Sequence, residues 1–172
     1  MREIIGQAIG GIAVIIFFVS YQCKTQKKLL LMQTVSNAIM FVHYFLIKAN
    51  SGYFLAIVAI LRNLAFYFND KKFLSSKLIP YIFAVIVVII GALSWEGYYS
   101  LFYIVGLGVN TVFLSVKNVN VIKISVIFTC SLIFTYNVFV FSIPGMINES
   151  LSILGAVIGL ITYRVRKKKQ SN

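Results

Sequence analysis

Acidic residues are scarce in this sequence, which has four aspartates and glutamates among 172 residues and only 12% charged residues in all. A soluble domain usually carries about 25% charged residues, because its surface must be hydrated. So few charges cannot cover a soluble surface, and the 60% of residues that are hydrophobic occur in long blocks. The composition therefore predicts an integral membrane protein.

Residues that carry chemistry are equally sparse. Of the two cysteines, Cys23 lies among lysines and Cys130 lies inside an apolar block, a spacing that predicts neither a disulfide framework nor a zinc site. The sequence contains no paired carboxylates, nucleophile elbow, phosphate-binding loop or metal-ligand spacing. We therefore expect no enzymatic activity, no cofactor and no metal.

Seven apolar blocks follow one another, most of them near the ~20 residues that a helix needs to cross a ~30 Å hydrocarbon core. Because they are continuously apolar, they predict transmembrane helices rather than barrel strands. The blocks run from Ile4 to Tyr21, Leu29 to Ile47, Phe54 to Phe68, Leu78 to Ser94, Ser100 to Val116, Val121 to Ile143 and Ile147 to Tyr163.

The net charge of +12 reflects basic residues placed between these blocks, which indicates membrane topology rather than a nucleic-acid surface. Alternate loops and the tail hold most of them, so we predict an external N-terminus and a cytoplasmic C-terminus. The tail "RVRKKK" is expected to anchor the last helix and to attract anionic lipids. The basic residues on the predicted cytoplasmic side are Lys24, Lys27, Lys28, Lys71, Lys72, Lys77, Lys117, Lys123, Arg164, Arg166, Lys167, Lys168 and Lys169.

The first three and last three blocks share one order of spans and basic turns. An ungapped offset of 96 residues places Gly10 on Gly106 and Lys27 on Lys123. This pattern predicts a 3+1+3 parallel repeat in one transmembrane domain, 1–172, with a linker helix that returns the chain to the outer side. The predicted parts are 4–72 and 100–168 for the triple-helix repeats and 78–94 for the linker helix.

One stretch carries a family resemblance: "YQCKTQKKLLLMQTVSNAIMFVHYFLIKANSGYFLAIVAILRNLAFYF" resembles the first half of the YgjV-type bacterial inner-membrane proteins. The resemblance is best over 6–72. More distantly, the 3+1+3 plan is similar to SWEET, PQ-loop and PnuC-type transporters, which implies a small polar solute carried between two halves. Tyr21 stands where those families have proline before glutamine, and Gly159 occupies the position that matches Asn63.

Polar residues inside the blocks supply the candidate solute-binding side chains. Gln33, Ser36, Met40 and His43 share one helix face, bordered by Asn37, and such a stripe serves either interhelical hydrogen bonding or a wet cavity. Arg62 is the costliest residue, at about 2.5–3.5 kcal/mol for a central arginine. The six candidates are Gln33, Asn37, His43, Arg62, Asn63 and Asn110.

Two functions remain open at this point. The candidate residues favour a transporter of a small polar or anionic solute, either facilitated or proton-linked. The alternative is a membrane scaffold or accessory subunit, whose polar residues only hold helices together, and association of several copies fits either function. Arg62 and Asn63 are expected to face inward, toward the stripe in the second helix, because hydrocarbon offers a guanidinium no partner.

The topology makes a direct prediction. Single cysteines placed at Asn50 and Ser75 should react with impermeant reagents from opposite sides, with Asn50 outside and Ser75 inside. Labelling of both positions from one side would contradict the seven-span arrangement.

Overall fold

The computed structural model describes residues 1–20, 26–68, 78–113 and 119–170, and every regular element within these ranges is an α-helix. Each helix coincides with one apolar block, so the all-helical class and the succession of seven helices are confirmed. The helices are α1 (Arg2–Ser20), α2 (Gln26–Leu46), α3 (Asn50–Tyr67), α4 (Ile79–Leu93), α5 (Ser100–Phe113), α6 (Val119–Phe139) and α7 (Ile143–Gln170).

Three described segments are long and apolar enough to cross a membrane: Arg2–Ser20, Val121–Phe139 and Ile143–Ile161. The apolar segments Leu30–Leu46, Ile79–Leu93 and Ser100–Phe113 are shorter. The membrane character is thus confirmed, whereas crossing by all seven helices stays a prediction.

Most of the basic loops that set the predicted orientation lie outside the described residues. These positions include Lys24, Lys71, Lys72, Lys77 and Lys117. The side chains of Lys27 and of 164–169 also lie outside the description, although the α7 backbone continues as a helix through the tail. The orientation of the termini therefore remains a prediction.

The helices form two sets of three with α4 between them in the chain. In the first half α2 packs against α1 and α3, and in the second half α6 packs against α5 and α7. The halves meet where α1 packs against α7 and α3 against α5, while α4 packs on α3 and α5. The buried apolar cluster includes Leu55 of α3, Val87 of α4 and Ile104 of α5, so the core lies where these helices converge.

The turns that follow α2 and α6 have the same geometry. Lys48 (φ 61°) and Phe141 (φ 53°) both adopt a left-handed conformation and stand 93 residues apart in sequence. Ala49 N–H donates to the Tyr44 carbonyl at 2.9 Å, and Ser142 N–H donates to the Asn137 carbonyl at 2.9 Å, again 93 residues on. The two turns therefore share one geometry at positions 93 residues apart, whereas the sequence pattern had suggested an offset of 96 for the predicted repeat.

This second turn corrects the predicted boundaries of the last two helices. The block from Val121 to Ile143 was expected to be one span, but α6 ends at Phe139 and α7 begins at Ile143, not Ile147. The left-handed Phe141 reverses the chain, and Pro144 sits in the first turn of α7, where its fixed φ suits a helix start. Hydropathy missed the break because the turn itself is apolar.

Side chains from the opposite half cap the helices that follow these turns. The Glu96 carboxylate, which precedes α5, accepts hydrogen bonds from the N–H groups of Asn50 (2.8 Å) and Ser51 (3.0 Å) at the start of α3. Gln7 of α1 accepts a hydrogen bond from Ile143 N–H at 3.2 Å and donates to the Phe141 carbonyl at 2.6 Å. Each half thus ties down the third helix of the other.

The Glu96 cap can be removed without disturbing the apolar core. Glu96→Ala should lower the free energy of unfolding by about 1 kcal/mol, the usual effect of losing a helix N-cap. Thermal unfolding in detergent measures the change, and Glu3→Ala, at an exposed position in α1, is the control. Equal stability of Glu96→Ala and the parent protein would contradict a capping role.

Candidate functional site

Arg62 points into the helix bundle. It lies on the buried face of α3 with Leu55, Val58 and Ala59, at spacings of three and four residues. As the thirteenth residue of α3, it sits roughly 18 Å along the helix at ~1.5 Å per residue. Only 7% of its surface is exposed, and Asn63 beside it is 1% exposed. The expectation that both residues face inward is confirmed.

The guanidinium of Arg62 is held by amide and hydroxyl oxygens. Its Nε and Nη2 groups donate to Asn63 Oδ1 at 3.3 and 3.1 Å. Nη1 donates to Thr111 Oγ1 at 3.1 Å and to Asn110 Oδ1 at 3.4 Å. The main partners therefore lie on α5, not on the polar stripe of α2 as expected, because α3 packs its buried face against α5 at this level.

These contacts extend into a polar network across three helices, which we call the Arg62 cluster: Arg62, Asn63, Asn110, Thr111 and Thr129. Asn110 Nδ2 donates to Thr129 Oγ1 at 3.3 Å, which reaches α6. Thr111 Oγ1 donates to the Leu107 carbonyl at 2.7 Å, leaving its lone pairs for the guanidinium. The cluster therefore joins α3 of the first half to two helices of the second.

The Arg62 cluster has more donors than acceptors. Asn63 Nδ2 is buried and has no hydrogen-bond partner among the described residues. A guanidinium has five N–H groups, and the four bonds above leave one Nη2 N–H without an acceptor in the described part of the chain. No carboxylate there is paired with Arg62. The site therefore combines a positive charge with spare N–H donors, an arrangement that suits an oxygen-rich anion.

The polar stripe of α2 is used differently. Ser36 and His43 are fully buried, as expected for one inward face, but they bond to α1: Ser36 Oγ donates to the Ala13 carbonyl at 2.8 Å. Gln33 and Asn37 are half-buried, and neither bonds to the Arg62 cluster among the described residues. Of the six predicted residues, the structure thus brings together Arg62, Asn63 and Asn110.

His43 is completely buried rather than interfacial. Its Nδ1 lies 2.8 Å from the Gly6 carbonyl, and because a carbonyl oxygen only accepts, Nδ1 carries a proton. Its Nε2 lies 2.7 Å from Ser142 Oγ, which also accepts from Gly145 N–H at 3.2 Å, so the serine hydroxyl donates to Nε2. The ring is fully bonded as a neutral imidazole and links α1, α2 and the α6–α7 turn.

Three buried tyrosines lie between the halves, and we call them the tyrosine layer: Tyr44, Tyr103 and Tyr136. Their ring centroids are 4.8 to 6.3 Å apart. Tyr44 Oη donates to Asn137 Oδ1 at 2.8 Å. Tyr44 and Asn137 are 93 residues apart, the same offset as the two turns, so this bond joins corresponding positions of the two halves.

Several polar residues of the site were missed by the sequence reading. Thr111, Thr129 and Asn137 lie in apolar helices without a polar stripe, and Ser142 lies in the apolar turn between α6 and α7, so no periodicity marked them. The predicted last block begins at Ile147, which would put Glu149 in its first turn, but α7 begins at Ile143 and the carboxylate lies in its second turn. A sequence signal for the turn at Phe141 would have placed Glu149 inside the last helix.

Glycines mark where helices approach closely. A Cβ on Gly10 would lie 2.6 Å from Pro144 Cγ and 2.9 Å from His43 Nδ1, so Gly10 packs α1 against α2 and α7. A Cβ on Gly106 would lie 2.7 Å from Ile133 Cγ1, which confirms close packing of α5 and α6. In contrast, Gly155 faces open space among the described residues and marks no close helix contact.

Comparison with known proteins identifies the family. The sequence model of the bacterial inner membrane protein family Imp-YgjV matches residues 4–169. The chain belongs to the Imp-YgjV family. This places it in the bacterial inner membrane, in agreement with the apolar helices of the structure. No curated protein and no solved structure matches this Imp-YgjV chain significantly.

The close packing of α1 at Gly10 can be tested by comparison with Gly11, the next residue in the chain. Gly10→Ala should lower the free energy of unfolding by about 1–3 kcal/mol, because a methyl group there overlaps Pro144 and His43. Gly11→Ala meets nothing within 4 Å and should be neutral or stabilising by up to about 1 kcal/mol. Thermal unfolding in one detergent measures both, and equal effects of the two would contradict the packing of α1 described above.

Proposed function

We propose that this Imp-YgjV protein transports a small solute bearing a carboxylate or another oxygen-rich anionic group, bound at the Arg62 cluster between two halves. The observation that carries the proposal is that, among the described residues, the buried Asn63 amide has no hydrogen-bond partner and the buried guanidinium beside it has no carboxylate partner. Leaving such donors unsatisfied is costly inside a membrane protein, so a ligand that accepts their hydrogen bonds would be bound favourably.

The two halves of the proposed transporter form a 3+1+3 parallel repeat. The supporting features are the turns at Lys48 and Phe141, the helix caps exchanged between halves, and the bond between Tyr44 and Asn137. Together they suggest a pseudo-twofold axis through the tyrosine layer, with α4 as the linker. The N-terminus would then be external and the C-terminus cytoplasmic, as the distribution of lysine and arginine predicts.

The two halves would close the site at the end of the bundle that carries the α2–α3 and α6–α7 turns. In the predicted orientation the tyrosine layer and the bonded His43 lie toward the outside, while Arg62 lies deeper along α3. Because only 7% of the Arg62 surface is exposed, a solute would reach the guanidinium only when the two halves separate. Exchange between sides would require the Tyr44–Asn137 bond to open.

A scaffold or accessory role is the second candidate, and the α2 stripe favours it. Ser36 and His43 make their hydrogen bonds to α1 and to the α6–α7 turn, as expected for residues that only hold helices together. The same reading applied to Arg62 would require every donor of its cluster to be satisfied internally. The amide of Asn63 argues against that.

Ligand-dependent stability tests the proposal with a matched pair of probes. Lactate and glycerol have the same number of non-hydrogen atoms, but only lactate carries a carboxylate. Lactate should stabilise the purified protein against heat, by about 2.7 kcal/mol at a hundred times its Kd, and glycerol should not. Uptake of labelled lactate into proteoliposomes should follow the same order.

Substitutions at Arg62 separate binding from structure. Arg62→Lys keeps the charge but loses the planar fork, so lactate affinity should fall about tenfold or more. Arg62→Leu should keep the stability of the ligand-free protein and lose lactate binding and uptake. Arg2→Lys, an exposed arginine bonded to the Phe45 carbonyl, is the control. Loss of folding in Arg62→Leu, or no response of the parent protein to lactate, would favour the scaffold.

A further inference from the structure

A carboxylate lies within the helix bundle, apart from the Arg62 cluster. Glu149 is the seventh residue of α7, roughly 9 Å along the helix at ~1.5 Å per residue. It shares the buried face of α7 with Gly145, Ser152 and Ala156, at spacings of three and four residues. The side chain is half-buried and faces α6, where it meets Cys130.

Few donors satisfy this carboxylate. Asn148 Nδ2 donates to Glu149 Oε1 at 3.1 Å, and the buried Cys130 thiol of α6 donates to the same carboxylate. A thiol is a weak donor, and an ionised carboxylate has about four acceptor sites. No lysine, arginine or histidine of the described residues is paired with Glu149. Ionised, the group would be poorly compensated, whereas a protonated carboxyl needs fewer partners.

The charged and titratable groups around Glu149 are few. On α6, Cys130 contacts Glu149. Lys123, also on α6, instead lies against Gly159, ten residues farther along α7 than Glu149. On α1, the other helix packed against α7, the titratable side chains are Arg2 and Glu3 in its first turn. From the tyrosine layer, the hydroxyl groups of Tyr44 and Tyr103 are within electrostatic reach of Glu149.

Tyr103 also connects the two charged groups of the bundle. It lies on the same buried face of α5 as Thr111, which accepts a hydrogen bond from Arg62, and it is also within electrostatic reach of Glu149. Because charges interact strongly in a medium of low dielectric constant, the state of Glu149 should influence what binds at Arg62. A negative Glu149 opposes a second negative charge nearby, and a neutral Glu149 does not.

We propose that Glu149 is a proton-binding site inside the bundle, and that it takes up a proton when the Arg62 cluster takes up its anion. The linkage to the anion rests on the function proposed above. The carboxylate gains one proton and becomes a carboxylic acid as one negative charge arrives, so the bundle gains no net charge. The described residues near Glu149 include no group of three metal-binding side chains, which favours a proton over a metal cation as the ligand.

Infrared spectroscopy tests the proton site without any solute. The chain has four carboxyl side chains, Glu3, Asp70, Glu96 and Glu149, so the absorption of a protonated carboxyl group can be assigned by single substitutions. In lipid nanodiscs near pH 5, the parent protein and Glu3→Gln should show this absorption, it should weaken as the pH rises to about 8, and Glu149→Gln should lack it at every pH. Absence of the band in the parent protein, or its persistence in Glu149→Gln, would overturn the proton site.

The pH dependence of lactate binding tests the linkage. Between about pH 5 and pH 8 lactate stays ionised and arginine stays protonated, so a change in affinity reports another group. Affinity for the parent protein and Glu3→Gln should fall about tenfold as the pH rises, the order expected for one charge acting across a protein interior. Glu149→Gln should bind lactate with a pH-independent affinity near that of the parent protein at acidic pH.

The two measurements distinguish the possible failures. If Glu149→Gln keeps the parent's pH dependence, or the parent shows none, the linkage is wrong even though lactate binds. If lactate binds at no pH, the proposed function fails and the linkage with it, while the infrared band still decides whether Glu149 holds a proton. If Glu149→Gln does not fold, Glu149→Asp, which keeps the carboxyl group, should retain the infrared band, and its absence would overturn the proposal.

Discussion

A guanidinium inside a bundle of apolar helices must find its hydrogen-bond partners in the protein, because hydrocarbon supplies none. In this chain that requirement links the two halves. Arg62 extends from α3 to Thr111 and Asn110 on α5, and Asn110 carries the network to Thr129 on α6. Packing of α3 against α5 thus serves both the apolar core and the one buried arginine of the described residues.

The helix ends at the α2–α3 and α6–α7 turns meet a related requirement, because their backbone groups must be satisfied where the chain reverses. Both of these short turns use a left-handed residue, and the helices that follow are capped by Glu96, just before α5, and by Gln7 of α1. Because the caps are exchanged, neither half can move at this end without breaking bonds to the other. The ends near the turns are therefore more firmly tied together than the region around the Asn63 amide.

The candidate site could be predicted in part from the sequence. Arg62, Asn63 and Asn110 are unusual enough in apolar blocks that cost alone indicates an inward position, and the structure brings these three together. Gln33, Asn37 and His43 are also polar residues in an apolar block, but they do not join the Arg62 cluster. His43 bonds to α1, and Gln33 and Asn37 lie apart from the cluster. A polar stripe indicates which face of a helix is buried but not which neighbouring helix covers it. Glu149 was misplaced for a different reason, since an apolar turn at Phe141 leaves no trace in hydropathy.

The sequence by itself determined that this is a membrane protein of seven helices, because too few charges and long apolar runs permit little else. The family match adds that the membrane is the bacterial inner membrane. The sequence also determined that Arg62 turns away from lipid, since the energetic cost of exposure is large. Only the tertiary structure decided that Arg62 meets α5 instead of α2, that His43 is bonded on both nitrogens, and that Glu149 lies against Cys130. Those pairings depend on which helices are neighbours and how they are rotated, and helix periodicity fixes the rotation of a face without naming its partner.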